Sequence, residues 1–252
     1  MILQSVLPYD VLTPRPLPGI APTAMAEWLM VDDAYAAQMA HRAALLRDRR
    51  DAVFVQDPSA GTAAAELLET VLDWLPTGFS RQGDRVTRPD GVSVVVDWNA
   101  PLWTLAHLVQ EDLCILQKPD GSDEHVLTAA ALCFPASWRL AEKFMRPLTT
   151  IHVPVKDYDS DLARRVQRLF DAIRPGRPLW RFNALWYDDP ELYQPRSAVE
   201  SRKLTDKDKA PYFRSERQCL VRLPRSGAVV FSIHTFVLRA DAIRAPAGPA
   251  AG

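Results

Sequence analysis

The stretch from residue 218 to 237 constrains the fold more than any other part of the chain. Two β-rich apolar runs, residues 218–223 and 228–237, flank Pro224-Arg225-Ser226-Gly227. A connection this short can join the runs only as antiparallel neighbours, because a parallel pair needs a crossover of a dozen or more residues. An antiparallel sheet is therefore expected, and further runs of the same kind can extend it. Residues 92–96, 113–116, 126–134 and 179–186 are short and apolar, with turn signals such as Pro119-Asp120-Gly121-Ser122 between them.

Helical spacing occupies other stretches. Tyr35, Met39, Arg42, Leu45 and Leu46 recur at helical intervals behind Asp32 or Asp33 as a cap, and residues 62–74 form a second helix. Residues 160–173 place Leu162, Val166, Leu169, Phe170 and Ile173 on one face before the stop Pro175-Gly176. A short helix over 137–144, with Ser137 as N-cap, precedes residues 149–155, whose Pro154 makes them an edge strand or a loop. Helices on the N-terminal side and an antiparallel sheet with interleaved helices define an α+β protein. Residues 1–24, with five prolines, read as an extended arm, residues 25–240 as a single domain, and 241–252 as a flexible tail. Residues 188–211 read as a polar surface loop or lid.

Composition excludes several classes. The 252 residues are 48% hydrophobic and 24% charged, which argues against disorder, and the chain can bury about 70–75% of its unfolded surface. No apolar run reaches the ~18 residues of a membrane span and no signal peptide opens the chain, so a cytoplasmic protein is expected. Cys114, Cys133 and Cys219 form no C-x-x-C pair, which speaks against a zinc ribbon or a disulfide framework. Glycine-rich phosphate loops and H-E-x-x-H or G-x-S-x-G motifs are missing. The net charge of −1 hides an asymmetry: residues 1–138 carry 9 basic and 18 acidic residues, and residues 139–239 carry 20 basic and 12 acidic. The basic residues are not densely clustered among aromatics, so nucleic acid is not an expected partner.

Polar groups inside apolar runs are the candidate site residues, since burial of an ionisable group demands a partner. His152 could coordinate a metal or haem iron, or be a core histidine bonded to backbone. His234 is either exposed or pocket-facing, His125 is expected in solvent, and His41 and His107 read as surface or packing residues. Glu111 and Asp112 could hold a cationic amine or mark a polar strand start. Cys133 could be a thiolate ligand or inert packing. Arg214, Arg217, Arg222 and Arg225 could clamp carboxylates or form a solvated basic face.

These motifs together resemble a known family. Gln110-Glu111-Asp112, Leu132-Cys133-Phe134-Pro135 with Trp138 and Glu142-Lys143, Ile151-His152-Val153-Pro154-Val155 with Tyr158, Arg181-Phe182-Asn183, and Glu216-Arg217-Gln218 leading to Leu223-Pro224-Arg225-Ser226-Gly227 are similar to the haem-dependent oxidative N-demethylases. The resemblance runs from about Pro18 to Val237. It implies a PAS-like antiparallel sheet with flanking helices and an N-terminal helical extension, holding haem b. It also implies removal of an N-methyl group from a small secondary amine with O2, electrons arriving from a separate flavin/iron–sulfur reductase subunit. On this reading His152 is the axial ligand and Arg217, Arg222 and Arg225 face the propionates. Charge complementarity to an ammonium suggests Glu111 and Asp112 for substrate or proton delivery. The charged loop 198–209 makes the substrate entrance the least defined part, and a non-catalytic haem sensor or carrier is the other reading.

Overall fold

The computed structural model describes residues 1–13, 19–152, 160–197, 200 and 205–244, with backbone alone for residues 152 and 160–163. The N-terminal part is mainly helical. After the two-residue strand β1 (Ala21–Pro22) come α1 (Tyr35–Asp48), α2 (Arg50–Val53), the short strand β2 (Phe54–Gln56) and α3 (Gly61–Asp73). Asp32 accepts from the Ala34 N–H at the start of α1, but its second oxygen is committed elsewhere in the fold. A small sheet follows, β3 (Ser80–Gln82), β4 (Arg85–Thr87) and β5 (Ser93–Val95), and then α4 (Pro101–Ala106).

The main sheet is built from β6 (Asp112–Gln117), β7 (Val126–Ala131), β8 (Leu179–Tyr187), β9 (Tyr212–Arg222) and β10 (Val229–Arg239). With β1 and β2 at its edges it has seven strands in the order β1-β8-β9-β10-β6-β7-β2, and every pairing is antiparallel. The β9–β10 hairpin pairs Val229 with Arg222 and continues to Arg239 opposite Tyr212, closed by a turn in which Gly227 adopts a φ of 67°. That left-handed backbone suits glycine, which has no Cβ to clash there. Strand β9 begins six residues before its apolar run, because Arg214 and Glu216 sit in the ladder although their side chains do not read as strand. The α+β class expected from the sequence is the one observed.

Side chains alternate across the sheet, so each strand serves two cores. Leu113, Ile115, Cys219, Val221 and Val230 pack beneath Trp28, α3 and α4. Cys114, Leu116, Leu220 and Ile233 form a second core with the helices α5 (Leu140–Lys143), α6 (Leu148–His152) and α7 (Ser160–Ala172). The last helix, α8 (Ala240–Arg244), follows β10 directly.

Two local expectations are corrected. Residues 148–152 are helical, not extended, because Glu124 accepts hydrogen bonds from the Thr149 N–H and hydroxyl (3.0 and 2.7 Å) and caps the first turn; residues 153–155 lie outside the described residues. Ser137 does not cap a helix: its φ is 73°, its N–H donates to the Gln194 carbonyl, and α5 starts three residues later at Leu140. The described part of the arm runs over the sheet. Tyr9 stacks against Phe182 at 5.1 Å between ring centroids, and Gln4 bonds to β10 in both directions.

A candidate active-site cleft on strands β8 and β9

Strand alternation places Arg181, Asn183 and Leu185 of β8 beside Gln218, Glu216 and Arg214 of β9 on the sheet face shared with α5, α6 and α7. The helices cover the apolar half of this face. Over the polar half, Asn183 and Leu185 remain exposed and a cleft of about 170 Å³ opens, lined by Ser137, Asn183, Leu185, Arg196, Arg214 and Glu216 among others.

Backbone contacts build the walls. Gln194 accepts from Ser137 and donates to the Pro135 carbonyl (3.1 and 3.0 Å), which docks residues 189–196 against residues 134–137. Arg214 locks both loops by donating to the carbonyls of Leu192 (3.0 Å) and Phe134 (2.6 Å), and it reaches Glu216 Oε1 at 3.3 Å. The other Glu216 oxygen accepts from Gln218 at 3.4 Å. Burial pushes the Glu216 carboxyl upward, while the Arg214 charge opposes the shift.

Positive charge in the cleft is incompletely spent. The buried Nε atoms of Arg196 and Arg214, which line the cleft, and of Arg181, farther along β8 and outside its lining, have no hydrogen-bond partner among the described residues. Arg181 donates to Asn183 Oδ1 (2.9 Å), and burial lowers its pKa. The sequence singled out Arg214 only as one of four arginines. The signal that separates it from Arg217 is parity: residues 214, 216 and 218 share one face of β9, and 215, 217 and 219 share the other.

Asp112 lies behind this cleft and supports it. It accepts from the N–H groups of Cys133 and Phe134 (2.7 and 2.8 Å) and from Arg42 Nη2 (2.8 Å), all without solvent contact. Asp112 thereby anchors Phe134, whose carbonyl accepts from Arg214. Burial pushes its carboxyl upward, and Arg42 opposes that shift. Glu111 faces a different centre. Its Oε1 accepts from the Met30 N–H and bonds His234 Nδ1, each at 2.9 Å, while His234 Nε2 meets Asp32 at 3.0 Å. His234 is thus neither exposed nor shown facing a cavity: it is buried with both nitrogens bonded, and the two carboxylates outweigh desolvation and raise its pKa to about 9.

The remaining sequence candidates are dispersed. Arg217 points to the other sheet face, donates to the Trp28 carbonyl (3.1 Å) and lies over the Trp180 ring. Arg222 donates to the carbonyls of Phe170, Ile173 and Gly227, and Arg225 pairs with Glu69 in the hairpin turn. The structure does not bring these three guanidinium groups together. His125, expected in solvent, is buried because Gln167 of α7 donates to its Nδ1 (2.8 Å), and burial lowers its pKa. The Cys133 thiol is pushed up to about 11 by burial. The side chain of His152 and the residues 153–159, 198–199 and 201–204 lie outside the described residues; the His152 backbone ends α6, whose Ile151 packs on the same sheet face as the cleft.

No helix among the described residues is long and apolar enough to cross a membrane. A family model described as haem-dependent oxidative N-demethylase, alpha subunit-like, matches residues 19–251. With nearly its whole length matched, the chain belongs to the haem-dependent oxidative N-demethylase, alpha subunit-like family.

Proposed function

We propose that the chain removes an N-methyl group from a small secondary amine, with haem b, O2 and two electrons from a partner flavin/iron–sulfur reductase. The stoichiometry is R–NH–CH3 + O2 + 2 e⁻ + 2 H⁺ → R–NH2 + HCHO + H2O. The observation that carries this reading is the divided sheet face: an apolar half under α5–α7 adjoining a polar cleft with unspent guanidinium groups.

The residues present fit haem in their chemistry. A porphyrin needs an apolar wall and cations at its propionate edge; Leu179, Leu220, Phe231 and Ile233, on which α5–α7 pack here, lie on the same face as Arg181, whose Nε has no partner among the described residues. Arg181 suits the propionates better than Arg217, Arg222 or Arg225, whose donors already serve backbone carbonyls or Glu69. His152 is the proposed axial ligand from its place in the segment that resembles the family's His-x-Pro-Val, ahead of His125, whose Nδ1 meets Gln167, His234, which is enclosed by carboxylates, and Cys133, whose thiol resists ionisation. Bound haem would supply the oxidative chemistry. The chain's own groups would bind and orient the amine and exclude water. The PAS-like comparison rests on the same sheet-and-helix layering.

The test is haem reconstitution followed by reduction in air with methylated amines. A Soret band that His152→Ala abolishes or shifts, together with amine-dependent formaldehyde release, is the expected result. Protein that stays colourless with haem supplied would overturn the reading, and haem binding without formaldehyde from any amine would leave a sensor or carrier.

A further inference from the structure

The charges of the cleft do not match a simple amine. A secondary amine is an ammonium at neutral pH and calls for a carboxylate; Glu216, the one carboxylate lining the cleft, is already shared with Arg214 at 3.3 Å. Arg196 lines the same cleft with its Nε buried and without a partner, and no described side chain neutralises it. Arg214 is spent on the Phe134 and Leu192 carbonyls and on Glu216, so the charge of Arg196 is the surplus one. A bare dimethylammonium placed near Glu216 would meet that surplus as repulsion. A ligand that also carries a carboxylate turns the repulsion into a charge-assisted, forked hydrogen bond. The volume of about 170 Å³ is below the roughly 300–1,000 Å³ of pockets for drug-sized ligands, which suits a molecule of a few heavy atoms.

We infer that the cleft takes a zwitterionic N-methyl amino acid, with Glu216 receiving the methylammonium and Arg196 the carboxylate. The inference rests on the demethylase reading above and names its substrate class. For N-methylglycine the products are glycine, formaldehyde and water: the methyl carbon gains one oxygen atom of O2, its C–N bond breaks, and the second oxygen leaves as water with the two supplied electrons and two protons.

Binding and turnover separate the two levels. N-methylglycine and dimethylamine are titrated into the haem-loaded protein by calorimetry, and formaldehyde is measured for each with O2 and electrons supplied from NADPH through a flavin/iron–sulfur reductase. The expected outcome is tighter binding and lower KM for N-methylglycine. Arg196→Gln is expected to cut that preference at least about tenfold, with Arg196→Lys restoring part of it. Glu216→Gln is expected to weaken both ligands. Arg196 makes no described contact that folding requires, and a circular dichroism melt checks each variant. Dimethylamine bound as well as N-methylglycine, or a preference untouched by Arg196→Gln, overturns the inference. Arg196-dependent binding of N-methylglycine without formaldehyde from either amine supports the zwitterion site and defeats the demethylase reading instead.

Discussion

His234 shows how a single residue couples burial to charge. The imidazole is 1% exposed and sits between Glu111 and Asp32, so a proton that burial alone would expel is retained to about pH 9. A folded pKa above the unfolded value of ~6.5 stabilises fully below pH ~6.5, and the contribution is lost as pH rises towards 9. Urea midpoints of the wild type and His234→Gln, measured from pH 6 to 10, should therefore converge as pH rises; a gap that widens would contradict the protonated assignment. The Glu111 Oε2 atom has no partner, so removing the imidazole leaves buried negative charge, and the gap near pH 6 should reach about 3–5 kcal/mol.

At the scale of elements, α7 depends on one side chain from another part of the chain. Arg222 donates to Phe170 (2.6 Å) and Ile173 (2.7 Å) at the C-terminal end of α7 and to Gly227 (2.7 Å) in the hairpin turn. A cation on the last carbonyls of a helix also complements its dipole. Arg222→Ala should cost about 2–3 kcal/mol and raise amide exchange in α7 more than in β9, as hydrogen-exchange mass spectrometry would read. The hairpin, α1, α3 and α7 were legible in the sequence because period and turn chemistry are local. The helix at residues 148–152 and the burial of His125 were not, since they depend on Glu124 and on Gln167, whose contacts no period encodes. The cleft was legible only in part: Arg214 and Glu216 stood in recognised motifs, but Arg196 acquires meaning only once residues 189–196 dock beside Ser137.

Over the whole molecule, the opposite charges of the two halves meet in specific pairs. Asp32 and Glu111 face His234, and Arg225 pairs with Glu66 and Glu69. The sheet order likewise inserts the last strand, β10, between β9 and β6. Gln4 completes the closure, accepting from the Val237 N–H (2.8 Å) and donating to the Thr235 carbonyl (3.1 Å) and to Asp32 (2.8 Å). Gln4→Ala should cost about 1–3 kcal/mol, seen in the urea midpoint, because the Val237 N–H loses a buried acceptor. The bond between residues 4 and 237 spans 233 positions, a separation that slows folding. Gln4 is made 233 residues before Val237, so neither its bonds to β10 nor the β10 side of β9 can pair until β10 itself has been made, and until then β9 presents an open strand edge.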